Sequence, residues 1–140
     1  MKDCRTSLVT ALITAIAGQS TGLTPYTKVP KGDASNPIAY PFIYITNITD
    51  DEDGPKNQFM YNYDLDLELV YKDLTDKAAM WTAVDLIKQL INNDVPFALT
   101  GGFSIMELAL IDTIETEDLL NSQDVDTTTI RVNFMIEDNN

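Results

Sequence analysis

The fold is decided by residues 59–72, which read FMYNYDLDLELVYK. From Tyr61 onward, aromatic residues and leucines alternate with polar or charged ones, and Val70 is the one apolar residue on the polar side. This period of two predicts a long β-strand with one apolar and one solvated face. At about 3.3 Å per residue the strand spans roughly 40 Å, so we expect it to extend beyond the compact body and offer backbone groups to a neighbouring subunit.

Two amphipathic helices are predicted on either side of this strand. The first is capped by Asp3 or Thr6 and runs to about Ala17, where Gly18 supplies the stop. The second follows a cap at Thr75 or Asp76 and runs to about Asn93. Its predicted apolar stripe consists of Met80, Val84, Ile87 and Ile91, widened by Trp81, Ala83 and Leu90.

Two further strands are predicted before the long one. A short strand lies near residues 26–29, inside a connector at 18–36, and residues 42–48 form a strand dense in aromatic and β-branched residues. The polar stretch 50–57 joins the second of these to the long strand as an antiparallel hairpin.

Two more strands are predicted in the last third of the chain. One follows Gly101-Gly102 and forms its apolar face from alternate residues between 106 and 114. The closing strand begins near Thr128. We expect the acidic stretch 115–127 between them to be exposed, with a short helical turn at 118–121.

The order of helix, strands, helix and strands predicts a single α+β domain over residues 1–140. It consists of an antiparallel or mixed β-sheet of about four to five strands, with a long β-hairpin and two main helices packed on one face.

Composition excludes several classes of function. Nine Lys and Arg against 22 Asp and Glu give a formal net charge of -13, which disfavours sequence-independent binding to nucleic acid. The single cysteine, Cys4, allows no intramolecular disulfide. With no histidine, the chain lacks the commonest general base and zinc ligand. We therefore expect no cofactor, no metal and no catalytic residue, and predict that the protein is not an enzyme.

The apolar stretch at residues 8–17 is predicted to be part of a helix of a globular domain. A membrane span takes about 20 apolar residues, and this stretch is shorter. Thr6, Thr10 and Thr14 recur every four residues and line one helix face, whereas the core of a secretory signal is apolar all round. No membrane association is predicted.

Two acidic clusters invite a chemical interpretation. The first comprises Asp50, Asp51, Glu52 and Asp53. Aligned with a calcium-binding loop, it leaves Thr49 at the first ligand position and Met60 where a bidentate Glu belongs, so a solvated hairpin tip is favoured. The second comprises Asp64, Asp66 and Glu68, about 7 Å apart on one strand face. They form either an acidic surface ridge or acid and base carboxylates, and the solvated surface is the preferred interpretation.

The chain resembles the tail-terminator or tail-completion proteins of long-tailed phages over most of its length. The resemblance rests on the opening amphipathic helix, then Tyr26-Thr27-Lys28-Val29-Pro30, Tyr40-Pro41-Phe42-Ile43-Tyr44-Ile45, the long aromatic strand, the helix from Trp81 to Ile91, and Arg131-Val132-Asn133-Phe134. It implies a virion subunit, assembled in the host cytoplasm, that forms a hexameric ring at the head-tail junction. Its implied partners are copies of itself, the tail tube protein and head-tail connector proteins, and DNA passes through without specific binding.

Candidate site residues follow from this resemblance together with the acidic clusters. The predicted subunit-interface residues are Phe59, Tyr61, Tyr63, Lys28 and Lys31. The predicted acidic lumen or loop residues are Asp50, Asp51, Glu52, Asp53, Asp64, Asp66 and Glu68. The connector at 18–36 and the acidic stretch at 115–127 are long, which leaves open a neck or adaptor ring of another tail type. A monomeric acidic protein-binding module is the other alternative.

Overall fold

The computed structural model describes residues 4–18, 22–28, 30–32, 34–35, 37–50, 60–74, 76–91, 98–120 and 123–139. Within these ranges the elements are α1 (Arg5–Ala17), β1 (Thr24–Tyr26), β2 (Phe42–Asp50), β3 (Met60–Lys72), α2 (Ala78–Ile91), β4 (Phe103–Leu120) and β5 (Gln123–Asp138). The five strands form one sheet in the order β1-β2-β3-β5-β4. β1 is parallel to β2 and the other neighbours are antiparallel, so the predicted α+β class with a mixed sheet is confirmed.

The alternation along β3 places its apolar residues on one face of the sheet. That face carries Tyr63, Leu65, Leu67, Leu69 and Tyr71, all buried. Across β5 the partners of Leu67, Leu65 and Tyr63 are Ile130, Val132 and Phe134, which are buried as well. These cross-strand pairs form the centre of the hydrophobic core.

Both helices cover this apolar face. α1 contributes Leu8, Leu12 and Ile16, spaced four residues apart so that they line one side of the helix. α2 contributes Met80, Ala83, Val84, Ile87, Leu90 and Ile91. All of them belong to the same core cluster as the β3 residues, so the two helices pack on one side of the sheet. The opposite face carries the charged residues of β3, together with the buried cross-strand pair Phe42 and Val70 near one edge.

β3 lies inside the sheet, which corrects one expectation. It pairs with β2 from Phe42↔Val70 to Asp50↔Tyr63 on one side, and with β5 from Met60↔Glu137 to Lys72↔Val125 on the other. The prediction that this strand offers unpaired backbone groups to a neighbour is wrong for residues 63–70, because both sides of the strand are paired within the subunit there. The edge strands of the described sheet are β1 and β4.

The secondary structure of the acidic stretch after residue 114 also differs from the prediction. β4 continues to Leu120 and β5 starts at Gln123, so the described part of the predicted helical turn is strand. The two strands pair from Phe103↔Asp138 to Leu120↔Gln123 and form the longest hairpin of the fold. Gly101 and Gly102, at φ 78° and 83°, form the predicted turn before β4, where a side chain would be strained.

Two apolar residues expected in the interior lie at the surface instead. Trp81 on α2 is 56% exposed. Register shifts between Ile105 and Glu107 and between Leu110 and Asp112 change the phase of β4, so Ile114 pairs with Thr129 on the polar face and is 41% exposed. At the N-terminus of α1, Cys4 takes the cap position in place of the predicted Asp3 or Thr6, and no side-chain hydrogen bond caps the helix.

Candidate assembly surfaces

The face of the sheet opposite the helices carries a connected set of polar side chains. Tyr44 on β2 donates a hydrogen bond to Glu68 Oε2 on β3, with an O···O distance of 2.6 Å. The two residues are cross-strand partners, which brings their side chains together. Burial, and then the hydrogen bond to Glu68 and the charge of its carboxylate, raise the pKa of Tyr44 well above its ordinary value.

Asp66 lies at the centre of the same face. Its Oδ2 accepts a hydrogen bond from Asn47 Nδ2 at 3.0 Å, and its Oδ1 lies 3.6 Å from Arg131 Nε. Arg131 Nη1 also lies 3.8 Å from Asp112 Oδ2 on β4. The guanidinium therefore connects the carboxylates of two strands through β5, although exposed pairs of this kind contribute only about 0 to 1 kcal/mol each.

Asn133 on β5 holds the third carboxylate of β3. Its Nδ2 donates to Asp64 Oδ1 at 2.7 Å and to Asn62 Oδ1 at 2.6 Å. Asp64, Asp66 and Glu68 thus share one face, as the alternation predicts, and each is engaged by a neighbouring side chain. This arrangement, in which each carboxylate is held by a hydrogen bond or ion pair to a neighbouring strand, suits a rigid polar surface. No group of side chains suited to a metal ion occurs in the part of the chain that the structure describes.

The aromatic residues predicted at a subunit interface lie mostly on the helix side of the sheet. Tyr63 is 1% exposed and is a core residue of the subunit. Tyr61 is half-buried, with its ring stacked on Tyr63 at a centroid distance of 5.9 Å and edge-on to Phe103 at 6.2 Å. Phe59 lies outside the described residues. A contact between these residues and another subunit stays a prediction.

The acidic loop is described only at its first residue. Asp50 ends β2 and pairs with Tyr63 through the backbone, while Asp51, Glu52 and Asp53 lie outside the described residues. Their assignment to a loop or lumen surface therefore also stays a prediction.

One edge of the sheet combines acidic and apolar side chains. We call the group formed by Trp81, Ile111, Asp112, Ile114 and Glu115 the acidic edge surface. Glu115 Oε1 lies 3.1 Å from Lys77 Nζ and accepts a hydrogen bond from Trp81 Nε1 at 3.4 Å, which places the N-terminal half of α2 beside β4. Ile111 is 53% exposed. Sequence reasoning missed this surface, although the adjacent pair Leu110-Ile111 breaks the alternation of β4 and could have indicated the bulge.

The opposite edge combines basic and aromatic side chains. We call Tyr26, Lys28, Tyr40 and Lys72, together with Lys31 of the segment that follows β1, the basic edge surface. The Tyr26 ring lies edge-on to Phe42 at 6.0 Å, and the Tyr40 ring lies 5.3 Å from Phe42. Lys72 Nζ is 5.6 Å from the centre of the Tyr40 ring, within the range of a cation–π contact. Lys28 and Lys31, both predicted interface residues, are exposed in the segment that links β1 to β2.

The comparisons with known proteins bear on the whole chain. Neither a protein family nor a curated protein matches the sequence. Among solved structures, one chain of a particle described as the virion of a native gene transfer agent superposes with a TM-score of 0.74. The two chains share a fold. The match covers 98% of this chain and 99% of the other at 15% sequence identity, so it includes every element described above. No helix in the described ranges is long and apolar enough to span a membrane.

Proposed function

We propose that the protein is a structural subunit of a virion. The observation that carries this proposal is the end-to-end likeness to a chain of a virion particle, with almost no part of either chain left over. A match over the whole of both chains supports a shared architectural role better than a match confined to a common motif. The proposal assigns no reaction and no cofactor to the protein.

More specifically, we propose that six copies form a ring that caps the phage tail tube and joins it to the head connector. The resemblance to tail-terminator proteins supports this form. So does the sheet itself, because its long edge strand β4 and the side chains exposed around it suit contact with another chain. The proposed partners are identical copies, the tail tube protein and the head-tail connector proteins, and the proposed location is the tail or neck of the virion.

The charge of the subunit suits a channel through which DNA passes without being held. A hexamer has a formal charge of six times -13, or -78. We place the polar face of the sheet, with Asp64, Asp66 and Glu68, toward the lumen, where carboxylates repel phosphates. The helices then face outward.

Electron microscopy of tail tubes assembled from purified tube protein tests this function. We expect added subunit to bind at one end of each tube and to stop further growth, giving short tubes capped by a ring. Tubes that grow to the same length with and without it, and carry no cap, would contradict the terminator role. Binding to head connectors alone would indicate a neck or adaptor ring, and a subunit that binds neither and remains monomeric would indicate an acidic binding module.

A further inference from the structure

We propose that the acidic edge surface of one copy binds the basic edge surface of the next, so that the ring is closed by head-to-tail contacts between the two edges of the sheet. This inference rests on the proposed function, since it names the surfaces through which the identical copies would meet. Four observations on the described residues carry it.

The first observation is the charge of the two edges. The exposed acids described on β4 are Glu107, Asp112 and Glu115, and the strand itself contains no Lys or Arg. Two of these acids have a cation nearby in the same subunit, Arg131 at 3.8 Å from Asp112 and Lys77 at 3.1 Å from Glu115. The basic edge surface has three lysines, at positions 28, 31 and 72. Two β4 edges brought together would repel each other, whereas β4 against the basic edge places opposite charges in contact. The occupant of the β4 edge is therefore the other edge of a second copy.

The second observation is where apolar area is exposed. The large apolar residues exposed in the described part of the chain are Tyr40, Trp81, Ile111 and Ile114. Trp81, Ile111 and Ile114 belong to the acidic edge surface, and Tyr40 belongs to the basic one. Apolar residues surrounded by charges are typical of the centre and rim of a protein interface, and Trp and Tyr are enriched at such sites.

The third observation is that the cross-strand rows of the sheet connect β1 at one edge directly to the middle of β4 at the other. The cross-strand row that starts at Tyr26 passes through Tyr44, Glu68 and Thr129 and ends at Ile114. The row that starts at Thr24 ends in the same way at Thr116. Copies placed side by side with their sheets in line therefore bring β1 of one against Ile114–Thr116 of the next. Going along β1 from Thr24 to Tyr26 corresponds, across the sheet, to going along β4 from Thr116 to Ile114 and on toward Asp112. Lys28, two residues after Tyr26, therefore lies toward the Asp112 end of this edge.

The fourth observation concerns the kind of contact that the edges allow. Pro25 lies in the middle of β1 and has no backbone N–H, and β4 is interrupted by two register shifts. A long intermolecular β-ladder is therefore blocked, and the contact depends on side chains. Because the two surfaces differ, the interface is heterologous, which gives a closed ring when the rotation between successive copies closes and a filament when it does not.

Charge reversal on each edge tests the inference. The first variant is Lys28→Glu/Lys31→Glu and the second is Asp112→Lys/Glu115→Lys. We expect each alone to associate about 10- to 100-fold more weakly at low salt, because each replaces attraction by repulsion at exposed charges. The control Arg5→Glu/Lys88→Glu makes the same charge change as the first variant, but on the helices, and is expected to assemble like the wild type. Circular dichroism melts check that every variant is folded.

Mixing the two variants gives the sharper result. In a head-to-tail ring the first variant carries acidic residues at the substituted positions and at Asp112 and Glu115, whereas the second carries lysines at all of these positions. An equimolar mixture is therefore expected to regain assembly with strict alternation. A terminal tag on one variant lets native mass spectrometry count both kinds of subunit. Rings with equal numbers of each support the proposal.

Two outcomes would overturn the inference, and they can be told apart. If the wild type forms rings and the charge variants form them equally well, or the mixture fails to assemble, the edge contact is wrong while the ring stands. If the wild type forms no ring, alone or on tube ends, the proposed function fails together with the edge contact.

Discussion

The hydrogen bond between Tyr44 and Glu68 makes a quantitative prediction about the polar face. Tyr44→Phe removes one hydroxyl and leaves the ring in place. At 2.6 Å the bond is short and its acceptor is a carboxylate, and bonds to charged groups contribute about 1.5 to 3 kcal/mol. Both side chains are only half-buried, so we expect the low end of that range. The variant should lose about 1.5 kcal/mol of unfolding free energy at pH 8.

The pH dependence of this loss has a definite sign. Because the pKa of Tyr44 is raised in the folded state, the folded protein keeps this proton at pH values where the unfolded chain, with an ordinary pKa of about 10, releases it. Ionisation stabilises the unfolded state by about 1.4 kcal/mol at pH 11, so the contribution of Tyr44 is present below pH 10 and lost as the pH rises above it. The advantage of the wild type over Tyr44→Phe should therefore disappear near pH 11.

Urea unfolding followed by circular dichroism between pH 8 and pH 11 measures both effects. The measurements are made at high dilution in the Lys28→Glu/Lys31→Glu background, which is expected to associate more weakly than the wild type, so that assembly contributes little. Tyr26→Phe, on the neighbouring strand, is the matched control, and a double-mutant cycle with Glu68→Gln should give a coupling of about 1 kcal/mol at pH 8. Equal stability of Tyr44→Phe and wild type at pH 8, or an advantage that persists unchanged to pH 11, would refute the reasoning.

Two other predictions concern the core and the edge. Leu67→Ala removes a fully buried side chain between the helices and the centre of the sheet, and should lower the free energy of unfolding in urea by about 3 kcal/mol. Ile114→Ala at the exposed edge should lower it by less than about 1 kcal/mol. Equal losses of unfolding free energy in the two variants would mean that β3 is not central. Trp81 is the only tryptophan and belongs to the acidic edge surface, so its fluorescence maximum should move to shorter wavelength as the subunit assembles and return when salt weakens the charged contact. An emission maximum that stays constant through assembly would place Trp81 outside the interface.

The elements with unbroken periodicity could be predicted from the sequence. β3 and α2 follow from alternation and from a 3.6-residue stripe, because those patterns reflect burial on one face of a single element. β4 could not be predicted to its full length, since two bulges change which face its residues occupy and its acidic second half is solvated. The position of β3 inside the sheet depends on the pairing of β5 between β3 and β4, and nothing local to β3 encodes that order.

The candidate surfaces could likewise be predicted from the sequence only in part. That Asp64, Asp66 and Glu68 share a face follows from their spacing, whereas their partners Asn133, Asn47 and Tyr44 depend on the register of distant strands. The basic edge was partly anticipated through Lys28 and Lys31. The acidic edge was not, because Trp81 fits the spacing of a buried stripe and is exposed only as a result of how α2 lies beside β4.

Native mass spectrometry of the purified subunit, at low ionic strength and over a range of concentrations, tests most directly whether identical copies form a closed ring. The account predicts one discrete assembly, with a mass near 94 kDa for six copies of 15.6 kDa, and no continuous ladder of larger species. A subunit that stays at 15.6 kDa at every concentration, both alone and when incubated with tail tubes, would contradict it.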